Sequence, residues 1–402
     1  MTKPFQGVRV VEVASWTFVP AAGAAMADLG ADVIKVEPPA GDPQRGLMNL
    51  LARRGDGAAA NPFAEIPNRG KRSITLDLAS DDGRALLLEL AATADVFLTS
   101  YLPAVRRKLG IDIADIRAAN PRIVFACGSG WGARGPLAEQ GGFDLAAGWA
   151  TSSMAFKMTR PGSEPMFQPA AFFDLIGANT IAGAIGTALF QRERTGDGVD
   201  VDVSLMSVGM WALSPDIVAA PQVGAITPPD RASAPNPLVN GYRTVDDRWL
   251  YLVCLQADRH WLELCELIGR PDLAVDSRFT DLPTRAAHAA ACVHELDETF
   301  GKRTLAEWRD VLAPFSGVWA PVLAPSEVHD HVQVDPNGFL PSNTTLDGAA
   351  YRLPAPPQQF DGEAGTPQGP APELGQHTEE ILLELGKDWD DITALRTSGA
   401  LG

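Results

Sequence analysis

The sequence has little that would hold a metal, a nucleic acid or a membrane. Its four cysteines (Cys127, Cys254, Cys265, Cys292) include no C-x-x-C pair, which excludes the common zinc and dithiol motifs and fits buried, reduced thiols. The six histidines are scattered. His329 and His331 lie close together but lack a spaced third ligand, so no metal site is expected. Positive charge is scarce: 33 Lys and Arg stand against 50 Asp and Glu, a formal net charge of −17 over 402 residues. That field repels phosphate backbones and anionic lipid surfaces, so neither nucleic acid nor membrane is an expected partner. The N-terminal residues run straight into a strand pattern without an apolar leader, and the expected compartment is the cytoplasm. The longest apolar run, near 175–190, is rich in Gly and Ala and reads as a core helix rather than a membrane span. The dinucleotide fingerprint is missing too. After the first strand stands ASWTFVPAAG rather than G-x-G-x-x-G, and Asp32 begins the second strand instead of ending it. An NAD-dependent dehydrogenase is disfavoured on that ground.

What the chain does contain is an alternation of strands and helices. GVRVVEVAS (7–15) reads as a buried strand, PAAGAAMADLGA (20–31) as a helix closed by Gly30, and DVIKVEPP (32–39) as the next strand. Residues 73–78, 82–94, 95–101 and 122–130 continue the pattern. The expected fold class is α/β, a Rossmann-like parallel-sheet large domain with a smaller α+β domain. The large domain is assigned to 1–215 and 331–402 and the small one to 225–330. Pro-rich linkers are placed at about 216–241 and 341–372. Within the small domain, GYRTVDDRWLYLVCL alternates as a hairpin around Asp246 and Asp247. The C-terminal run after His377 reads as helical docking.

Basic residues gather in three loops near strand ends: Arg45; Arg69, Lys71 and Arg72; and Arg106, Arg107 and Lys108. Ligands of open α/β sheets bind beyond the carboxyl ends of the strands, so this bias points to a phosphate-bearing ligand. Taken singly, each is equally an ordinary solvated loop cation. Glu12 and Glu37 sit within strands, where each can pair with a basic neighbour. Two isolated acids border apolar runs. Asp144, in GGFDLAAG, reads as an N-cap or a structural hydrogen-bonding group. Asp174, at the mouth of FFDLIGANTIAGAIGTALFQRER, reads as a helix N-cap or as a nucleophile.

LGADVIKVEPPAGDPQR, NRGKRSITLDL, LPAVRRKLGID, NPRIVFACGSGWGARGPLAEQGGFDLAAG, FFDLIGANTIAGAIGTALFQRERTGDGVDVDVSLM and PAPELGQHTEEILLELG occur in one order along nearly the whole chain. With them the sequence resembles the class III (CaiB/BaiF-type) coenzyme A transferases, the family of formyl-CoA:oxalate and carnitine CoA-transferases. The resemblance implies an intertwined homodimer and a reaction between an acyl-CoA donor and a carboxylic acid acceptor, with CoA as substrate and no metal. It implies Asp174 as the nucleophile, which helix N-terminal amides are expected to keep ionised. It further places Trp16, Thr17 and Phe18 against nucleotide and pantetheine, and Arg45, Lys71 and Arg72 near the CoA phosphates. Ser100, Tyr101, Arg106, Lys108 and Ser129 complete the expected CoA contacts.

The chain departs from the family pattern in places. Lys108 stands where an arginine is usual, Ser100 where Asn is common, and Ser129 where some members carry Lys. LQADRHW (255–261) replaces a glycine-rich loop. Phe143 precedes Asp144 where the related α-methylacyl-CoA racemases have His; Phe cannot transfer a proton, which disfavours racemisation. A non-catalytic acyl-CoA-binding paralogue is the other alternative, and the retained Asp174 argues against it. Aromatic and sulfur-bearing residues of the middle region, Trp149, Met154, Phe156, Met158, Met166, Phe167, Phe172 and Phe173, read either as core or as a bulky acyl pocket. Arg134 and Arg160 are candidates for holding an acceptor carboxylate.

Overall fold

The computed structural model describes residues 3–46, 60–224 and 230–402. Cα packing divides the chain into two units, Met1–Ile226 with Val332–Gly402, and Thr227–His331.

The first unit is built on six strands: β1 (Arg9–Val13), β2 (Asp32–Glu37), β3 (Arg72–Thr75), β4 (Val96–Thr99), β5 (Val124–Ser129) and β6 (Asp200–Ser204). They pair in parallel throughout, in the spatial order β3-β2-β1-β4-β5-β6. That is the doubly wound order, with its switch point between β1 and β4. The central strands β1 and β4 read as largely apolar runs because both sheet faces are covered there, whereas β6 (DVDVS) at the sheet edge keeps Asp200 and Asp202 exposed. Val10, Val33, Val96, Leu98, Val124 and Ala126 share one buried cluster with residues of α1 (Phe18–Asp28). Val11, Ile34, Ile74, Phe97 and Phe125 belong to a second cluster on the opposite face. α2 (Pro62–Asn68) packs against α1, while α3 (Asp81–Ala92) and α5 (Ile113–Ala119) cover the second face with Leu86, Leu87, Leu90 and Ile116, and α4 (Pro103–Leu109) adds Leu109. The C-terminal helices Thr378–Glu384 and Trp389–Thr397 add Ile381, Leu382 and Ile392.

Beyond β5 come a π-helical turn at Asp144–Ala150, α6 (Met154–Met158), α7 (Phe172–Thr195), α8 (Leu205–Ala212) and α9 (Ser214–Val223). α1 is buried along its whole length and α7 packs across it. Gly177 makes that approach possible: a Cβ there would sit 2.4 Å from the Phe18 ring.

Two expectations need adjustment. The apolar run near 175–190 is a core helix on one face only, because Phe172, Ile176 and Phe190 lie exposed on α7. α7 is also the one described helix long and apolar enough to cross a membrane by length and composition. The stretch assigned to a linker from 216 is helical as far as Val223, since Pro215 is tolerated in the first turn of α9. Residues 225–229 of the same stretch lie outside the described residues. The C-terminal run read as helical docking is two helices: the first ends before Gly386 (φ 81°), and Asp388 caps the second.

In the second unit β7 (Val239–Arg243) and β8 (Trp249–Val253) form the hairpin, turning at Asp247 with φ 58°. Trp319–Pro321 pairs beside β8. Trp261, Phe279, Phe300 and Trp308 form the centre of this unit's own core.

Candidate active site

α7 begins without a side chain of its own at the cap. Its N-cap, Ala171, has φ 56° and offers no acceptor, so the first amides need one from elsewhere. Asp144, at the start of the π-helical turn, supplies it: Oδ2 accepts the N–H of Phe173 at 3.1 Å and of Asp174 at 3.4 Å. Of its two expected roles, N-cap or structural hydrogen-bonding group, Asp144 takes the second, holding the first amides of a helix 30 positions downstream.

The expectation that these amides keep Asp174 ionised is corrected by the same geometry. The amides are spent on Asp144. Burial pushes the Asp174 carboxyl up to about 7, and the Asp144 charge beside it adds to the rise. Burial also raises Asp144, against which the Asp174 and Phe173 amides and the Gln168 side chain pull downward.

Asp174 lines a cavity of about 180 Å³ at the carboxyl ends of β1, β4 and β5, together with Trp16, Phe18, Ser100, Ser129 and Phe143. Ser100 and Ser129 are tied to the surrounding turns: the Ser15 N–H donates to Ser100 Oγ at 3.0 Å, and the Gly132 N–H to Ser129 Oγ at 3.0 Å. Trp16 has φ 71°, an unusual backbone for a bulky residue. Its indole meets the Phe143 ring edge to face at 5.5 Å. Four of the residues expected to contact CoA (Trp16, Phe18, Ser100, Ser129) are therefore brought to the proposed nucleophile. Thr17 is buried beside them, its Oγ1 accepting from Gln44 Nε2 at 3.3 Å.

A second cavity of about 160 Å³ shares Ser100 and Ser129 with the first and holds Tyr101, Arg106 and Cys127. Arg106 donates to Asp112 at 2.9 Å, to the Tyr101 carbonyl at 2.9 Å and to Cys127 Sγ at 3.2 Å. Burial raises the Cys127 thiol to about 11, so it stays protonated. Lys108 is exposed in the last turn of α4.

The remaining basic residues are not brought to the cavity as free cations. Arg45 grips Glu37 through two bonds of 2.8 Å and also donates to the Pro372 carbonyl. Lys71 is fully buried, donating to both Glu12 oxygens and to the Pro20 carbonyl; burial lowers its ammonium to about 7 despite Glu12. Arg72 reaches Asp32, Glu380 and Glu384, tying β3 to a C-terminal helix. Arg69 pairs with Asp28 and Arg107 with Glu139. Most of these cations thus meet carboxylates of the chain itself, buried ones at Glu12, Glu37 and Asp28 and an exposed one at Glu139.

Trp149 and Phe173 are buried core residues, whereas Phe156, Met158, Met166, Phe167 and Phe172 are exposed. Arg134 and Arg160 are exposed in loops. In the segment 255–261, Trp261 is buried in the second unit's core and Leu255 is exposed. Asp42, Lys35 and Gln44, which lie directly behind Trp16 and Thr17, carried no sequence signal beyond a charge in the middle of an apolar strand at Lys35.

The family model for CoA-transferase family III matches residues 5–378. Among curated proteins, the chain is similar to (R)-2-hydroxy-4-methylpentanoate CoA-transferase of Clostridioides difficile, 29% identical over 98% of each chain. It is also similar to cinnamoyl-CoA:phenyllactate CoA-transferase of Clostridium sporogenes, 30% identical over 98% of this chain and 96% of that one. The crystal structure of a CAIB/BAIF family protein from Brucella suis superimposes with a TM-score of 0.82 at 27% identity, covering 96% of this chain and all of the other.

Proposed function

The chain belongs to CoA-transferase family III, and we propose that it moves CoA from an acyl-CoA to a carboxylic acid through covalent intermediates on Asp174. The observation that carries this reading is the shared cavity, in which a single carboxylate of raised basicity stands among Trp16, Ser100 and Ser129. An Asp174 oxygen attacks the thioester carbonyl, the C–S bond breaks, and a mixed anhydride and CoA thiolate result. The thiolate attacks the aspartyl carbonyl, forming an aspartyl-CoA thioester and releasing the donor acid. The acceptor carboxylate then attacks that thioester, and the thiolate returns to the new acyl group. Each step exchanges one activated carbonyl for another, so no external energy source is needed.

The burial that raises Asp174 also serves the chemistry. A partly desolvated carboxylate is a better nucleophile, and excluding water protects the anhydride and thioester from hydrolysis. The aromatic lining (Trp16, Phe18, Phe143) supports acids with an apolar branched or aromatic side chain as substrates, the kind named for the two relatives above. We extend the proposal to an intertwined homodimer, supported by the exposed apolar side chains of α7 to α9, among them Phe190, Trp211 and Val218. Replacing Asp174 by Ala tests the core of this reading: CoA exchange between donor and acceptor falls to background while CoA still binds. Undiminished exchange in that variant would remove Asp174 from the nucleophile's role.

A further inference from the structure

Behind the Trp16 turn runs a line of buried charge that the transfer steps do not use. Glu12 and Lys35 face each other across the β1–β2 ladder and pair at 3.4 Å, both with fully buried side chains. Glu12 also takes Lys71 at 2.7 Å. Lys35 continues to the Ala14 carbonyl at 3.2 Å and to Asp42 Oδ2 at 2.9 Å. Asp42 ends the line behind Trp16, which lines the cavity. Its Oδ1 accepts the N–H of Trp16 at 3.2 Å and of Gln44 at 2.9 Å. Its own N–H is held by Glu37 at 3.1 Å. α1 lies directly on this line: a Cβ at Gly23 would fall 2.1 Å from Glu12 Oε2.

Two costs meet here. Buried ions lose solvation, and Trp16 carries a left-handed backbone that a bulky side chain adopts only when its surroundings over-determine it. We propose that Asp42, anchored by Lys35, is a positioning residue that locks the Trp16 turn and so sets the indole against Phe143 as a wall of the Asp174 cavity. The proposal rests on reading that cavity as the CoA site. A carboxylate is required because donors approach from two sides, Lys35 on one oxygen and the Trp16 and Gln44 amides on the other. An amide in its place has one oxygen and must turn its NH2 toward an ammonium or toward two N–H groups.

The test is hydrogen exchange together with a double-mutant cycle on the full-length protein. In Asp42→Asn the Trp16 amide exchanges faster by about tenfold or more, as expected for losing a hydrogen bond to a charged acceptor. The readout is mass spectrometry with residue-level fragmentation. Free CoA, titrated calorimetrically, binds Asp42→Asn more weakly by about twofold or more, the lower range of coupling between contacting residues. On a Trp16→Gly background, which relieves the backbone and removes the indole, the same change has no further effect. A merely structural Asp42 weakens CoA equally in both backgrounds, and that result overturns the proposal. So does an unchanged Trp16 exchange rate. Should Asp42→Asn fail to fold, Lys35→Met carries the same cycle, since Glu12 keeps Lys71 as its partner. The exchange arm uses no ligand: failure to bind CoA counts against the site reading, whereas normal Trp16 protection in the variants counts against the positioning role.

Discussion

The Asp144 carboxylate accepts the backbone N–H of Asp174 at 3.4 Å while its charge opposes ionisation of the Asp174 side chain. One residue thus fixes the Asp174 backbone and raises the basicity of its carboxyl. The consequences for pH, stability and chemistry are separable.

In the proposed mechanism Asp174 attacks as the carboxylate, and burial pushes its carboxyl up to about 7. The pH profile of kcat/KM therefore rises through that value and levels off above it. Asp144→Asn keeps an oxygen for the helix amides and removes the opposing charge, so the rise moves to lower pH. Burial, the larger cause, remains, so the shift is partial. An unmoved profile separates Asp144 from the tuning of Asp174.

Stability has the opposite sign. The folded carboxyl titrates at about 7 and the unfolded one near 3.8, so the folded state holds the extra proton between those values. Stability from this group is complete below the lower value and is lost as pH rises through the upper one. Asp174→Asn is accordingly more thermostable than the native protein at pH 8, and the difference vanishes toward pH 4. Melting curves at the two pH values decide it.

Lys71 and Arg72 are neighbours with different duties, neither of them on the cavity wall. Lys71→Met leaves Glu12 with Lys35 as its sole ammonium and costs about 3 kcal/mol of stability, as breaking a buried pair does. Arg72→Ala loosens the docked C-terminal helix through Asp32, Glu380 and Glu384. Neither changes the KM for acyl-CoA more than about twofold. A tenfold rise in KM in a folded Arg72→Ala protein restores that residue to phosphate binding.

Phe143 lines the cavity where a racemase needs an ionisable partner. No deuterium enters the α-carbon of a branched acyl-CoA incubated with the protein in D2O, as read by mass spectrometry. Incorporation at a rate comparable to CoA exchange would return proton transfer to consideration.

Much of the large unit was legible because its signals are local. Apolar runs punctuated by Gly and Pro marked β1, α1 and β2 to within a few residues, whereas Glu12 and Glu37 could be read only as able to pair with some basic neighbour, nothing local setting them apart. Asp174 stood out as a lone acid before an apolar helix, and the resemblance assigned its role. What local reading could not supply is the fate of long-range charge. Arg72 and Glu384 are more than 300 positions apart, and nothing in NRGKRS shows that its cations are already spoken for. Likewise Asp144 and Asp174 each look like a cap. Only the fold makes one the cap of the other's helix and leaves the second carboxylate lining the cavity. The Trp16 turn was placed near the ligand, but its left-handed backbone and the Asp42 bond behind it arise from packing.

The central claim is covalent transfer through Asp174, and trapping tests it most directly. The protein is incubated with a panel of acyl-CoAs, including branched and aromatic ones, treated with borohydride or hydroxylamine, and digested for mass spectrometry, with Asp174→Ala as control. The account predicts modification of the 168–194 peptide at Asp174, absent from the variant. A panel that exchanges CoA at full rate while Asp174 stays unmodified contradicts it.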